Sequence, residues 1–259
     1  MRVFVEGVGV VGPGLEGWQA ARDVLAGIAP YEPAPVRVPP VSLPQAERRR
    51  AGMTVRLAIT AGVEALAQAG RNPAEMAIVF AASGGDGDTI HDMLATLATP
   101  QRAVSPTRFH NSVHNAPAGY WAVATGSHMP STSLSAFDDS FAAGLLEAAV
   151  QSCMEERPVT LVAYDVPYPE PLNTARPIAA PFGMALVLTP QQTSRSLVAL
   201  TLVTRDKVLC PSGMANAGLE QLRRGNPAAR GLPLLAAIAR SDSGAVCVGS
   251  IGIAVTPTC

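Results

Sequence analysis

The sequence predicts an α/β fold in which helices are layered around a mainly parallel sheet. Three observations carry that expectation. Short β-branched apolar runs end in glycine or proline; helical stretches with apolar residues spaced three and four apart lie between them; and the composition is 48% hydrophobic with 15% charged residues, which supports a large core rather than disorder. Ala and Val carry most of the apolar content and aromatics are only 5%, so layers of small side chains can pack closely.

The elements follow in order along the chain. Val3 to Val11 is β-branched, punctuated by glycine and closed by Gly12-Pro13-Gly14, as expected of a buried strand entering a tight loop. The prolines between Tyr31 and Pro44 predict an extended surface loop. Met53 to Ala69 places Val55, Ala58, Val63 and Leu66 at helical spacing and stops at Gly70, a helix with its C-terminal glycine. Ala77 to Ala82 reads as a second buried strand, followed by the turn Ser83-Gly84-Gly85-Asp86-Gly87, and Val104 to Ser112 reads as irregular. Asn115 to Thr125 is a helix carrying Tyr120 and Trp121, Ser131 to Ala136 a short strand, and Asp138 to Cys153 a strong helix with Phe141, Leu145, Ala149 and Cys153 on one face. Strands are expected at 159–164, 184–188 and 197–204, then a helix at 232–239 and one or two strands within 245–255. Without an internal repeat or a low-complexity linker, residues 1–259 are read as a single domain.

Composition also excludes some functions. A net charge of -1 offers no basic footprint for nucleic acid. Glu6 and its neighbouring glycines break any secretory h-region at the start, and no segment reaches the roughly 18–20 apolar residues of a membrane span. Cys153, Cys210, Cys247 and Cys259 lack metal-site spacing; with no export signal they read as reduced thiols of a cytoplasmic protein. His110 and His114 are four apart without a third ligand, Gly84, Gly85 and Gly87 lack the lysine and hydroxyl of a phosphate loop, and Gly-x-Ser-x-Gly is absent. No metal, cofactor or independent hydrolase site is expected.

Taken in order, several segments resemble the N-terminal half of a β-ketoacyl-acyl carrier protein synthase, a member of the thiolase-like family. They are the strand Val3-Phe4-Val5-Glu6-Gly7-Val8-Gly9-Val10-Val11, the helix end Glu64-Ala65-Leu66-Ala67-Gln68-Ala69-Gly70, then Ser105-Pro106 with Asn115-Ala116-Pro117-Ala118-Gly119, and Thr125-Gly126 through Pro130-Ser131-Thr132-Ser133-Leu134. The resemblance covers about residues 1–205 and leaves 206–259 as a divergent tail. It implies a thiolase-like layered fold, N-terminal half only. The segment from Phe109 to Trp121 would pack at the dimer interface, where Phe109, Val113, Tyr120 and Trp121 are candidates for an acyl-tunnel wall; ordinary core packing is the competing reading.

The departures from the family bear on function. A ketosynthase ends this strand in a turn whose cysteine sits at a helix N-terminus, where the helix dipole favours the thiolate. Here the turn is Ser135-Ala136-Phe137-Asp138-Asp139-Ser140, with Asp138 at the cysteine position. Asp138, Asp139 and Ser140 are also good helix caps, and capping is the favoured reading, with a role facing an acyl pocket as the other. The four histidines, His91, His110, His114 and His128, all precede this turn, whereas the family's two catalytic histidines lie in the C-terminal half. The resemblance therefore implies no catalytic residues and no cofactor. It points to a shortened chain-length factor like those of aryl polyene and type II polyketide systems, partnered by a full-length ketosynthase in a heterodimer and by acyl carrier protein. The alternatives are a truncated thiolase-like enzyme using Asp138 or a histidine, and a homodimeric scaffold that binds acyl carrier protein.

Overall fold

The computed structural model describes residues 1–39, 42–204 and 211–258. Cys210 and Cys259, read above as reduced thiols, lie outside them, as do Pro40 and Val41 of the proline-rich loop; Cys153 and Cys247 are free.

The strands are β1 (Arg2–Gly12), β2 (Leu15–Glu16), β3 (Ala77–Ala81), β4 (Ser131–Leu134), β5 (Val159–Asp165), β6 (Phe182–Thr189), β7 (Val198–Thr204), β8 (Gly244–Val248) and β9 (Ile251–Pro257). The helices are α1 (Trp18–Ala26), α2 (Gln45–Arg50), α3 (Met53–Ala69), α4 (Gly87–Leu97), α5 (Pro106–Asn111), α6 (Ala116–Thr125), α7 (Ser140–Met154), α8 (Leu172–Ala175), α9 (Ala217–Gly225) and α10 (Leu232–Arg240). The strands form one sheet in the order β4-β3-β5-β6-β1-β7-β9-β8, with β2 on β1.

The layered fold is as expected, but its sheet is mixed rather than mainly parallel. β3 runs parallel to β4 and β5, and every other pairing is antiparallel. The sequence alternates strands with helices, which suggests parallel crossovers. That inference fails where strands adjacent in the sheet are joined without a packed crossover helix: β5 reaches β6 through a loop holding only the one-turn α8, and β8 reaches β9 by a tight turn.

Alternation along each strand divides the core in two. Val79, Leu161, Met184 and Leu186 face α7, α1 and α10; Phe80, Val162, Ala185 and Val187 face α3 and α6. In β1 the parity changes between Val5 and Gly7, where the register slips. The slip lets Val3, Val5, Val8 and Val10 all face the α7 layer. Glu6 sits at the slip, 1% exposed, salt-bridged to Arg71 at 2.7 Å and accepting from the Thr193 hydroxyl at 2.6 Å.

Gly7 and Gly9 face α3 so closely that a Cβ on either would lie 2.1 Å from the carbonyl oxygen of Ala65 or Ala61. At this contact α3 also supplies acceptors. β1 pairs with β7 only as far as Val5, and beyond that Gln68 accepts from the Val8 N–H and Glu64 from the Val10 and Trp18 N–H groups. These are the two polar residues of the Glu64–Gly70 segment. Burial raises the Glu64 pKa, while its two backbone donors pull it back down. α3 ends where expected, with Gly70 at φ 60 closing the last turn.

The segment 104–112, expected to be irregular, contains α5, begun by Ser105-Pro106 in the arrangement that favours a first helical turn. The tail is part of the fold. β9 pairs with β7 along its length, β8 with β9, and α10 packs against α1 and β8.

Candidate functional site

The turn at the C-terminal end of β4 is the focus, because it carries Asp138. After β4, Phe137–Asp139 forms a single 3-10 turn and α7 begins at Ser140. Phe137 has φ 52, a left-handed conformation that costs a non-glycine residue strain unless its neighbours hold it. Ser140 ties the turn: its hydroxyl accepts from the Ala136 N–H at 3.0 Å and donates to the Phe137 carbonyl at 2.7 Å.

The capping role read for Asp138 and Asp139 is not what the side chains do. Asp139 occupies the cap position of α7 without a side-chain hydrogen bond. Asp138 instead accepts from two arginines, Arg176 Nη2 on Oδ1 at 2.6 Å and Arg230 Nη2 on Oδ2 at 2.8 Å. Asp138 lies in the 3-10 turn two residues before α7, and its carboxylate meets the β5–β6 connection through Arg176 and the tail through Arg230. The Arg176 guanidinium carbon sits over the Phe137 ring, 3.8 Å from its centroid. Sequence reasoning missed both arginines; neither belongs to a local motif.

Beside this turn, Asp165 closes β5 and is 4% exposed. Its Oδ1 accepts from the Ser83 N–H at 2.8 Å and the Ser83 hydroxyl at 2.6 Å. Burial pushes its pKa up to about 6, against the opposing pull of the Ser83 hydrogen bonds and of the Arg176 charge. The glycine turn that follows Ser83 is packed rather than open: a Cβ on Gly84 would lie 2.1 Å from the Tyr168 hydroxyl, and one on Gly87 2.5 Å from the Tyr168 ring. The turn then launches α4, whose first turn is capped by Asp86 on the Thr89 N–H at 3.0 Å.

The four candidate tunnel and interface residues separate into two pairs. Phe109 is 65% exposed and Val113 48%, on the outer surface. Tyr120 and Trp121 are 4% and 1% exposed and belong to the core between α3, α6 and the sheet, which corrects their placement on a contact surface. Trp121 packs edge-on against Phe80 at 6.2 Å and fills the space over Gly62; the Tyr120 hydroxyl donates to Asn111 at 3.0 Å. Gly119 and Val123 lie on the exposed side of the helix, so two residues separate the buried Trp121 from the exposed Val123.

A stripe that sequence reasoning passed over adjoins the exposed pair. α4 presents Ile90, Leu94 and Leu97 to solvent, at spacings of four and three, and α4 packs on α5, which holds Phe109. The spacing was readable, but no element was read between Gly87 and Val104. Among the described residues no group of three or more His, Cys, Asp or Glu side chains converges as a metal site, and no helix is long and apolar enough to cross a membrane.

Residues 18–243 match the family described as the β-ketoacyl synthase N-terminal domain. The chain belongs to that family. For this β-ketoacyl synthase-like chain the match continues past β7 into the tail that looked divergent, as far as α10 and the residues just after it. No curated protein matches by sequence. Solved structures share the fold. A complex of a ketosynthase with its chain length factor from Xenorhabdus doucetiae matches with a TM-score of 0.73 and 22% identity, over 99% of each chain. The ishigamide ketosynthase/chain length factor gives 0.67 and 15% over 98% of each. A β-ketoacyl synthase from Burkholderia phymatum STM815 gives 0.60 and 13%, over 88% of this chain and 70% of that one.

Proposed function

We propose that this β-ketoacyl synthase-like chain is a non-catalytic chain-length factor. It pairs with a full-length ketosynthase and shapes the partner's acyl tunnel in polyketide, aryl polyene or fatty acid-like synthesis, in the cytoplasm. The observation that carries the reading is the turn before α7. The position expected to hold an acyl-accepting thiol holds a carboxylate with both oxygens engaged by arginines. Such a carboxylate is a poor nucleophile toward a thioester. In this reading the partner performs the condensation and this chain contributes surface.

The surface that fits a partner is formed by Ile90, Leu94 and Leu97 of α4 with Phe109 and Val113, a contiguous apolar face that soluble chains rarely leave uncovered. β4 lies at the end of the sheet, paired only with β3 among the described residues, and offers a strand edge. In this reading Phe109 and Val113 meet a tunnel in the partner, while Tyr120 steadies α5 through its hydrogen bond to Asn111 and Trp121 belongs to the core. The two similar complexes, each of a ketosynthase with a chain length factor, favour the same assignment. Arg48, Arg49 and Arg50, exposed on α2, give an acidic carrier protein a basic surface to approach.

The test is co-expression with candidate ketosynthases, followed by size exclusion and mass spectrometry after incubation with acyl- and malonyl-acyl carrier protein. A stable one-to-one complex in which only the partner is acylated is expected. Acylation of this chain alone overturns the reading in favour of a truncated enzyme; a stable homodimer that ignores every ketosynthase overturns it in favour of a scaffold.

A further inference from the structure

The group occupying the nucleophile turn has a use of its own. Arg176 lies just after α8 in the β5–β6 connection, and Arg230 lies in the turn between α9 and α10. They are separated from Asp138 by 38 and 92 residues of chain, yet both guanidinium groups converge on its carboxylate. Side-chain exposures are 34% for Asp138, 23% for Arg176 and 30% for Arg230, so each is mostly withdrawn from water. Two cations meet one anion at the Asp138 carboxylate, with Asp165 near enough to feel the Arg176 charge, and both guanidinium groups favour an anion at the Asp138 position. Two forked guanidinium groups around one carboxylate also make the geometry that binds free carboxylates elsewhere.

We propose that Asp138 is the built-in anion of a two-arginine site, and that this cluster latches the tail and the β5–β6 connection onto the turn in front of α7. The latch has three consequences. It fixes Phe137, over which the Arg176 guanidinium sits, in its left-handed conformation. It engages each oxygen of the carboxylate at the nucleophile position with one arginine hydrogen bond, which draws electron density away from both and weakens the group as a nucleophile. It makes residues 228–231 a fastening point between tail and body, alongside the packing of Gly231 against Met184 and Phe141. The inference concerns this chain alone and stands whether or not a ketosynthase binds it.

The experiment is chemical rescue. Asp138→Ala leaves Arg176 and Arg230 facing a vacated site that a small carboxylate can fill. Thermal unfolding of the purified full chain is followed while sodium formate is titrated against sodium chloride at matched ionic strength. Asp138→Ala is expected to lower Tm by about 4–8 °C, the scale of two partly screened charge-assisted hydrogen bonds in a chain of this size. Formate is expected to restore most of that loss with saturation, chloride is not, and the wild type is expected to respond to neither. An unchanged Tm in Asp138→Ala, or equal effects of formate and chloride on it, overturns the latch. If Asp138→Ala does not yield folded protein, Asp138→Asn and Arg230→Gln are compared singly and together. A double variant no worse than the poorer single supports the latch, and full additivity overturns it.

Discussion

At Asp165 the chain keeps a carboxylate out of water, and the linkage to pH has a definite sign. Its pKa is about 6 in the folded chain against 3.8 for an unperturbed group. The stability this raised group contributes is fully present below pH 3.8 and is lost as pH rises through about 6, because ionising it in place costs more than ionising it in the unfolded chain. At about 1.4 kcal/mol per pKa unit, the loss is on the order of 1–3 kcal/mol. Urea unfolding at pH 5 and pH 7.5 should show a pH-dependent difference between wild type and Asp165→Asn, with the wild type losing ground at the higher pH. A difference that does not vary with pH would mean that Asp165 is ionised in both states. The neighbouring residues show what local sequence conceals. Asp138, Asp139 and Ser140 have the composition of a helix cap, and the cap was a sound expectation. The pairing that replaces it depends on Arg176 and Arg230, which only tertiary folding brings near.

Among the elements, α3 was the most legible and its contact with β1 the least. The helix ran from Met53 to Ala69 as its periodicity required, because apolar spacing and a terminal glycine are local signals. Why Gly7 and Gly9 alternate with Val8 and Val10 could not be read from β1 alone, since the reason is the α3 backbone lying against them. Gly9→Ala should therefore destabilise the chain by at least about 1–3 kcal/mol in denaturant unfolding, because the obstructing atom is a backbone oxygen and not a flexible side chain. A cost below about half a kcal/mol would show that α3 can move off the strand. On α6, Trp121→Ala should cost about 3–5 kcal/mol, while Val123→Ala on the exposed side should cost little. Equal effects of the two would contradict the burial that separates them. α5 escaped sequence reading because six residues carry too little periodicity to distinguish a helix from a loop. The neighbouring α4 with its apolar stripe escaped it as well.

For the whole molecule, the tail decides the boundary of the fold. The resemblance faded near residue 205 because sequence similarity is carried by motifs, and residues 211–258 carry few. Their contribution is bulk: Leu219, Leu222, Leu232, Leu235, Ile253 and Val255 complete the core on the α7 side. A chain ending at residue 204 should lack cooperative unfolding by circular dichroism, since β7 would lose β9, one of its two partners, and α7 part of its cover. A sharp transition in that truncation would show the tail to be dispensable. On the opposite side, Leu94→Asp should prevent co-purification with a ketosynthase while leaving the Tm of the separate chain unchanged, as expected for a residue 62% exposed. A fall in Tm with binding intact would place Leu94 in the fold rather than in the contact.

The end of the sheet at β4 has a consequence for how the protein is handled by a cell or a purification. Ser131–Leu134 leaves a row of backbone donors and acceptors met by no other strand among the described residues, flanked by side chains too small and uncharged to repel a visitor. Such an edge accepts any extended segment at high enough concentration. The yield of soluble chain should therefore depend on what is made alongside it: rising with co-synthesis of a matching strand, falling when the chain is made alone and in excess, so that supply of one protein sets the working level of another.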